Sequence, residues 1–343
     1  VKKAHTFDDV ALVPQYNNIP SRTEPNLETW LTKDRKIQIP LLASNMDTVI
    51  GEELAAILLN RGSIPIFHRF VNFQEQTKWI EKFQGRTFIS CGIHSHKIDE
   101  VRRLLDLGAV GVCIDVAHGH SERMFRIIEE LKKTHPSKDV IAGNVCTPMA
   151  YHDLVNAGAD AVKVGVGPGA ACTTRMVTGF GIPQFTAIYE CAQIAEKLRI
   201  PLIADGGIRN SRDVVLALAA GASTVMIGKL FAMTKESAAP KRILEGKSGE
   251  FEAKYRGQAS EDFQTDFYGA LKEKTVAEGI DFWGKVTGTA EELIENLLGG
   301  LRSGMTYGGA RSIKELQRKA EFVEVSPLYL RESLPRMENP YSK

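Results

Sequence analysis

Lys163-Val164-Gly165-Val166-Gly167-Pro168-Gly169-Ala170-Ala171-Cys172-Thr173-Thr174-Arg175 is the stretch from which the fold can be read. A short apolar strand runs into three alternating glycines and then presents a cysteine beside two hydroxyls. Gly165, Gly167 and Gly169 free the backbone for close approach to a ligand, and Pro168 stiffens the turn between them. Such a loop suits a thiol nucleophile held at a strand end. The plainer alternative is a tight turn in which Cys172 packs as a small apolar group. The neighbours favour the nucleophile: Arg175 can lower the thiol pKa, Thr174 can pass a proton, and free amides in a glycine loop suit an anion.

Outward from this loop the chain repeats strand, loop and helix. Candidate strands are Pro40 to Ser44, Ile64 to Phe67, Thr87 to Cys91, Val110 to Asp115, Val140 to Gly143, Ala161 to Gly165, Pro201 to Asp205 and Thr224 to Gly228. Each is a nearly continuous apolar run, as expected of parallel strands covered by helices. Helical spacing follows over Glu52 to Arg61, Phe73 to Phe83, Ser121 to Thr134 and Ser211 to Ala219. Three units share a phrase that closes a helix on glycine: Leu107-Gly108-Ala109, Ala157-Gly158-Ala159 and Ala220-Gly221-Ala222. Eight such units without a linker predict one α/β domain over residues 1–343, a (β/α)8 TIM barrel whose site lies on the loops after the strands. Cys172 then follows the sixth strand, Asp205-Gly206-Gly207 the seventh and Ile227-Gly228-Lys229 the eighth. The last two loops suit a phosphate.

The rhythm breaks from Lys235 to Lys285, a polar, aromatic-bearing insertion after strand eight with glycines at 246, 249, 257, 269, 279 and 284. It is too long for a plain loop and reads as a lid over the barrel mouth, or as a solvated excursion. Helical spacing resumes at Thr289, and Pro327 to Lys343 reads as a tail that is loose or docks on a neighbouring subunit.

Lys+Arg 43 against Asp+Glu 42 leaves a formal net charge of +1, so no global field points to nucleic acid and any phosphate site must be local. The five cysteines lack metal-finger spacing and fit a reduced compartment. No leader pattern stands at Val1, and no apolar run approaches the ~18 residues of a membrane span, so a soluble, cytoplasmic protein is expected.

The catalytic stretch, continued through Thr178-Gly179-Phe180-Gly181-Ile182-Pro183-Gln184, resembles that of the IMP dehydrogenase and GMP reductase family. The likeness extends to Thr6-Phe7-Asp8-Asp9-Val10, Asn45-Met46-Asp47-Thr48-Val49, Asp115-Val116-Ala117-His118-Gly119-His120-Ser121, Ala142-Gly143-Asn144-Val145, Asp205-Gly206-Gly207-Ile208, Tyr255-Arg256-Gly257 and Gly299-Gly300-Leu301-Arg302-Ser303. The resemblance implies attack by Cys172 on C2 of a purine nucleotide monophosphate, with a nicotinamide exchanging hydride at that carbon. It implies that Thr174 and Glu278 relay protons and that Asp205 holds the ribose. Gly206, Gly207, Gly228, Lys229 and Tyr255 would lie around the phosphate, and Met46, Gly257 and Gln258 against the base. Asp115, Asn144, Gly165 and Gly167 would face the cofactor. A potassium ion would rest on the Gly165, Gly167 and Cys172 carbonyls, and a homotetramer is implied.

Two reactions divide this family. The reductase converts GMP to IMP with NADPH, and the dehydrogenase oxidises IMP with NAD and hydrolyses the adduct. Only Asn72 to Arg86 stands where most dehydrogenases insert regulatory CBS modules, so none is expected. Asn45-Met46-Asp47-Thr48 and Thr178-Gly179 resemble reductase wording, and the insertion lacks the Arg-Tyr pair with which dehydrogenases activate water. Ala277-Glu278-Gly279-Ile280 and Gly-Leu-Arg-Ser-Gly-Met lean towards bacterial dehydrogenases. Ala170 replaces a serine that normally helps hold phosphate, Lys229 a small residue, and Gln258-Ala259 the usual Met-Gly or Met-Ser. The expectation is a GMP reductase-like enzyme, with an IMP dehydrogenase lacking CBS modules, or a nucleotide-binding barrel without turnover, as alternatives.

Overall fold

The structure is a computed structural model that describes residues 1–93, 98–244, 249–271 and 273–334. Its centre is a curled parallel sheet in the order Leu41–Ala43, Thr224–Ile227, Leu202–Asp205, Ala161–Val164, Asp139–Val145, Gly111–Asp115 and Phe88–Cys91. The expected strand over Ile64 to Phe67 is a departure: it is reduced to one bridge, Ile66 to Phe88. Pro65 is the physical reason. It has no amide to donate, so the segment offers Phe88 only the Pro65 carbonyl and the Phe67 amide. Seven strands and this bridge make the barrel.

Two apolar layers follow from the runs. Leu42, Ile66, Phe88, Cys113, Ile141, Ala161, Ile203 and Met226 point inward, where Leu31 and Ile37 from the hairpin of Thr29–Thr32 and Arg35–Ile37 join them. The alternate residues, such as Leu41, Val112, Val162 and Val225, face the helices. This alternation is the period of a strand buried on both faces. Capping side chains of Ser121, Thr147 and Asn210 accept amides of the first helical turns and fix where the strand-end loops stop. Helix Ala290–Tyr307 runs unbroken through Gly299 and Gly300. A Cβ on Gly300 would lie 2.3 Å from Ser211, and one on Gly304 2.8 Å from Val215, so glycine lets this helix close on Ser211–Ala219.

The insertion has its own order. Lys241–Ile243, Phe251–Arg256 and Asp281–Lys285 form an antiparallel sheet, and Glu261–Tyr268 is a helix capped by Ser260. Gly246 lies outside the described residues. Of the tail, Tyr329–Glu332 is a helical turn whose tyrosine ring lies 5.6 Å from the Arg212 guanidinium. Residues 335–343 lie outside the described residues. The N-terminal strand Val10–Leu12 pairs antiparallel with Phe322–Glu324.

Candidate active site

The loops after strands Ala161–Val164, Leu202–Asp205 and Thr224–Ile227 meet around a cavity of about 580 Å³. Its lining brings together Met46, Asp115, Asn144, Gly165, Gly167, Cys172, Thr174, Asp205, Gly206, Gly207, Gly228, Lys229, Tyr255, Gly257, Gln258 and Glu278, while Arg175 stands behind it.

The Cys172 loop is fixed by buried contacts. Gln184 donates to the carbonyls of Val164 and Asp205 at 2.9 and 3.1 Å, tying two strand ends together. Gly165 has φ +153°, and a Cβ there would sit 2.0 Å from the Asp205 carbonyl oxygen, so no side chain fits. Cys172 Sγ donates to Thr174 Oγ1 at 3.2 Å, which places a hydroxyl where a proton leaves the thiol. Arg175 interacts electrostatically with Cys172 and has a second part as well. Its guanidinium donates to the carbonyls of Val166 and Ile182 at 3.1 and 2.6 Å, so it clamps the loop.

Glu278 reaches the same place from the insertion. The Thr173 amide donates to its carbonyl at 3.0 Å, Cys172 and Gly279 form an antiparallel bridge, and Ile280 donates to Ala171 at 2.9 Å. Gly257 and Gly279 lie against the Ala171 carbonyl, where their Cβ atoms would come within 2.9 and 3.0 Å. The half-buried Glu278 is thereby carried to the cavity beside the cysteine. On the wall, the Tyr255 hydroxyl donates to Met46 sulfur at 3.6 Å and would lie 2.5 Å from a Cβ on Gly228. Burial pushes the Tyr255 pKa well up, so it stays a neutral donor. Gln258 donates to the Asn45 carbonyl at 2.8 Å.

Three features carried no signal in the motifs. Lys163, buried in its strand, bridges Asp115 and Asp205 at 2.5 and 2.9 Å. Arg69 lines the cavity with its guanidinium 4.4 Å from the Phe70 ring. Arg256 is held by three carboxylates: Asp47 at 2.7 Å, Asp262 at 2.8 Å and Asp266 at 2.5 Å. Although burial opposes its charge, these carboxylates outweigh it and raise the Arg256 pKa further. Only the lysine stood out in principle, as a charge inside an apolar run.

Asn144 donates to the Gly165 carbonyl at 2.8 Å and to Asp205 at 2.9 Å, which fixes its amide and leaves Oδ1 buried without a partner. An orphaned acceptor in a cavity wall is costly unless a ligand donates to it. A carboxamide has the matching N–H, so the residues present fit a nicotinamide. Among the described residues no His, Cys, Asp and Glu cluster could hold a metal ion, and no helix is long and apolar enough to cross a membrane.

Comparison with known proteins agrees with this geometry. A family model described as IMP dehydrogenase / GMP reductase domain matches residues 4–336. An inosine-5′-monophosphate dehydrogenase of Borreliella burgdorferi is 37% identical, with 97% of each chain covered. That of Cryptosporidium parvum is also 37% identical, over 97% of this chain and 95% of the relative. A solved GMP reductase from Trypanosoma brucei, in complex with guanosine 5′-monophosphate, is similar with a TM-score of 0.90 at 27% identity, covering 99% of both chains. With its cysteine loop, its glycine-walled cavity and these likenesses together, the chain belongs to the IMP dehydrogenase / GMP reductase family of oxidoreductases.

Proposed function

We propose that the protein is a GMP reductase that converts GMP to IMP with NADPH. The observation that carries this reading is the state of Arg256. It is the one arginine between Tyr255 and Glu278, and Asp47, Asp262 and Asp266 keep it charged and occupied. A guanidinium so held cannot act as the base that hydrolysis of a purine adduct needs. An adduct at this site is therefore better resolved by hydride than by water.

The thiolate of Cys172 adds to C2 of GMP, and the exocyclic amine leaves as ammonia. Thr174 and Glu278 hold and deliver the proton that the departing nitrogen takes. The nicotinamide cofactor, when bound, supplies the hydride for C2. The C2–S bond then breaks and returns the thiolate, so that GMP, NADPH and two protons give IMP, NADP⁺ and ammonium. Asp205 would hold the ribose hydroxyls. Amides of Gly206, Gly207 and Gly228, with Tyr255 and Lys229, would hold the phosphate in place of the serine that Ala170 lacks. Met46, Gly257 and Gln258 would meet the base. Asp115, Asn144 and the backbone of Gly165 and Gly167 would hold the cofactor. The Gly165, Gly167 and Cys172 carbonyls would hold a potassium ion. The insertion over 235–285 would act as the lid of a single catalytic barrel without CBS modules, working as a homotetramer.

The second reading, an IMP dehydrogenase, is favoured by the names of the Borreliella and Cryptosporidium relatives. Absorbance at 340 nm separates the two. A fall with GMP and NADPH, and no rise with IMP, NAD and potassium, is expected. The reverse pattern would overturn the reductase, and silence in both would favour a binding barrel without turnover.

A further inference from the structure

Lys163, Asp115 and Asp205 come from three separate strands, Ala161–Val164, Gly111–Asp115 and Leu202–Asp205, and meet at the floor of the cavity. The lysine side chain is 1% exposed, and each carboxylate 16%. An ammonium buried this deeply is expensive unless paired. Burial alone would push its pKa down, but the carboxylates of Asp115 and Asp205 prevail and hold it well above the usual lysine value. Its hydrogen-bonding capacity is nearly spent. One N–H goes to Asp115 Oδ1, one to Asp205 Oδ2, and the third faces only Met226 sulfur at 4.0 Å, a weak acceptor. What one carboxylate gives up, the other gains.

We propose that Lys163 is a positioning residue whose single buried ammonium is the shared counter-ion of Asp115 and Asp205, aiming both into the cavity and linking its nucleotide side to its cofactor side. The proposal rests on the reading of Asp205 as the ribose partner and Asp115 as a cofactor partner. Asn144 also holds Asp205, and the Arg69 guanidinium lines the same cavity. Without the ammonium, two carboxylates no farther apart than the two bonds they now make to one nitrogen would repel and turn from each other.

The test is calorimetric titration of GMP, without cofactor, into the wild type, Lys163→Arg, Lys163→Met and Asp115→Asn. Lys163→Met should bind GMP at least about tenfold more weakly. Lys163→Arg, which keeps the buried charge, should return within about threefold. Should Lys163→Met not fold, Asp115→Asn decides. It leaves Lys163 to Asp205 alone, weakening that carboxylate as an acceptor, so GMP affinity should fall about threefold or more although Asp115 is on the cofactor side. Unchanged GMP affinity in Lys163→Met or in Asp115→Asn, or no recovery in Lys163→Arg, overturns the proposal. IMP carries the same ribose and should behave alike. A failed reductase assignment would thus appear in the absorbance assay and not here.

Discussion

On the Cys172 side of the cavity the backbone is pinned from within: Gln184 spans two strand carbonyls, Arg175 clamps the loop, and Gly165 lies where only glycine fits. On the Glu278 side the fastening is by hydrogen bonds and ion pairs. Two ladder hydrogen bonds flanking Gly279 join the insertion to the cysteine loop, and the Arg256 cluster holds the insertion to Asp47, with Asp266 63% exposed. Contacts fixed by shape leave no room to open, whereas hydrogen bonds and ion pairs at the rim of the cavity can be exchanged for water. The nucleophile thus sits on the rigid half and its proton partner on the half that can lift. Such a division lets substrate enter without disturbing the thiol.

The comparison breaks completely at its centre. Cys172→Ala should lower turnover by at least about a thousandfold, because Cys172 is the one thiol lining the cavity among the described residues, while GMP still binds. Steady-state rates with calorimetry check this; retained turnover would remove Cys172 from the chemistry. Gly165→Ala tests the rigid half. A methyl 2.0 Å from the Asp205 carbonyl oxygen, at φ +153°, must displace one of two core strand ends. A stability loss of about 2–4 kcal/mol by denaturant titration is expected, with activity falling alongside.

Arg256→Gln tests the other half, and the signature should invert. Removing the guanidinium unties the insertion but leaves the barrel intact, so stability should fall by about 1–3 kcal/mol, the larger figure reflecting the largely buried Asp47 left unpaired, while kcat falls about ten- to a hundredfold. Asp47 sharpens the reading. Burial already raises its pKa against the pull of Arg256, so losing that partner should raise it further and extend the activity loss towards higher pH on the acid side. Equal losses of stability and turnover in Gly165→Ala and Arg256→Gln would erase the distinction between the halves.

The same division explains how much the sequence disclosed. The barrel was legible because each strand is an apolar run closed by a turn residue, and Cys172, Asp205 and Gly228 were legible because they stand just beyond those runs. The run at Ile64 misled through Pro65, whose missing amide leaves one bridge in place of a strand. Lys163 was read as part of its run, since the partners that make a buried lysine tolerable lie on distant strands. The Arg256 cluster joins Asp47 to Asp262 and Asp266, and no local pattern reports a contact between the first barrel loop and the insertion. Arg175 shows both. Its closeness in sequence to Cys172 suggested a part in thiol chemistry, and its bonds to Val166 and Ile182 add a part in the loop's shape that no motif reports.

His68 lies at the joint of the two halves and should give the mildest effect. Its Nδ1 accepts the Phe70 amide at 3.2 Å, and the Phe70 ring meets Phe263 and Phe267 of the insertion helix at 4.5 and 5.2 Å. Burial pushes the His68 pKa down from 6.5 to about 4. Between these values the unfolded chain binds a proton that the folded one refuses, so stability falls as pH drops through the unfolded pKa, and the loss is complete below the folded one. The difference should be about 1 kcal/mol at pH 6 and about 2 kcal/mol at pH 5. His68→Asn can still accept the Phe70 amide but does not titrate. Its Tm should therefore decline less than that of the wild type between pH 7 and 5, measured by circular dichroism. An identical acid slope in the two proteins would mean that His68 is not held neutral, and that the aromatic joint is wetter than its ring packing implies.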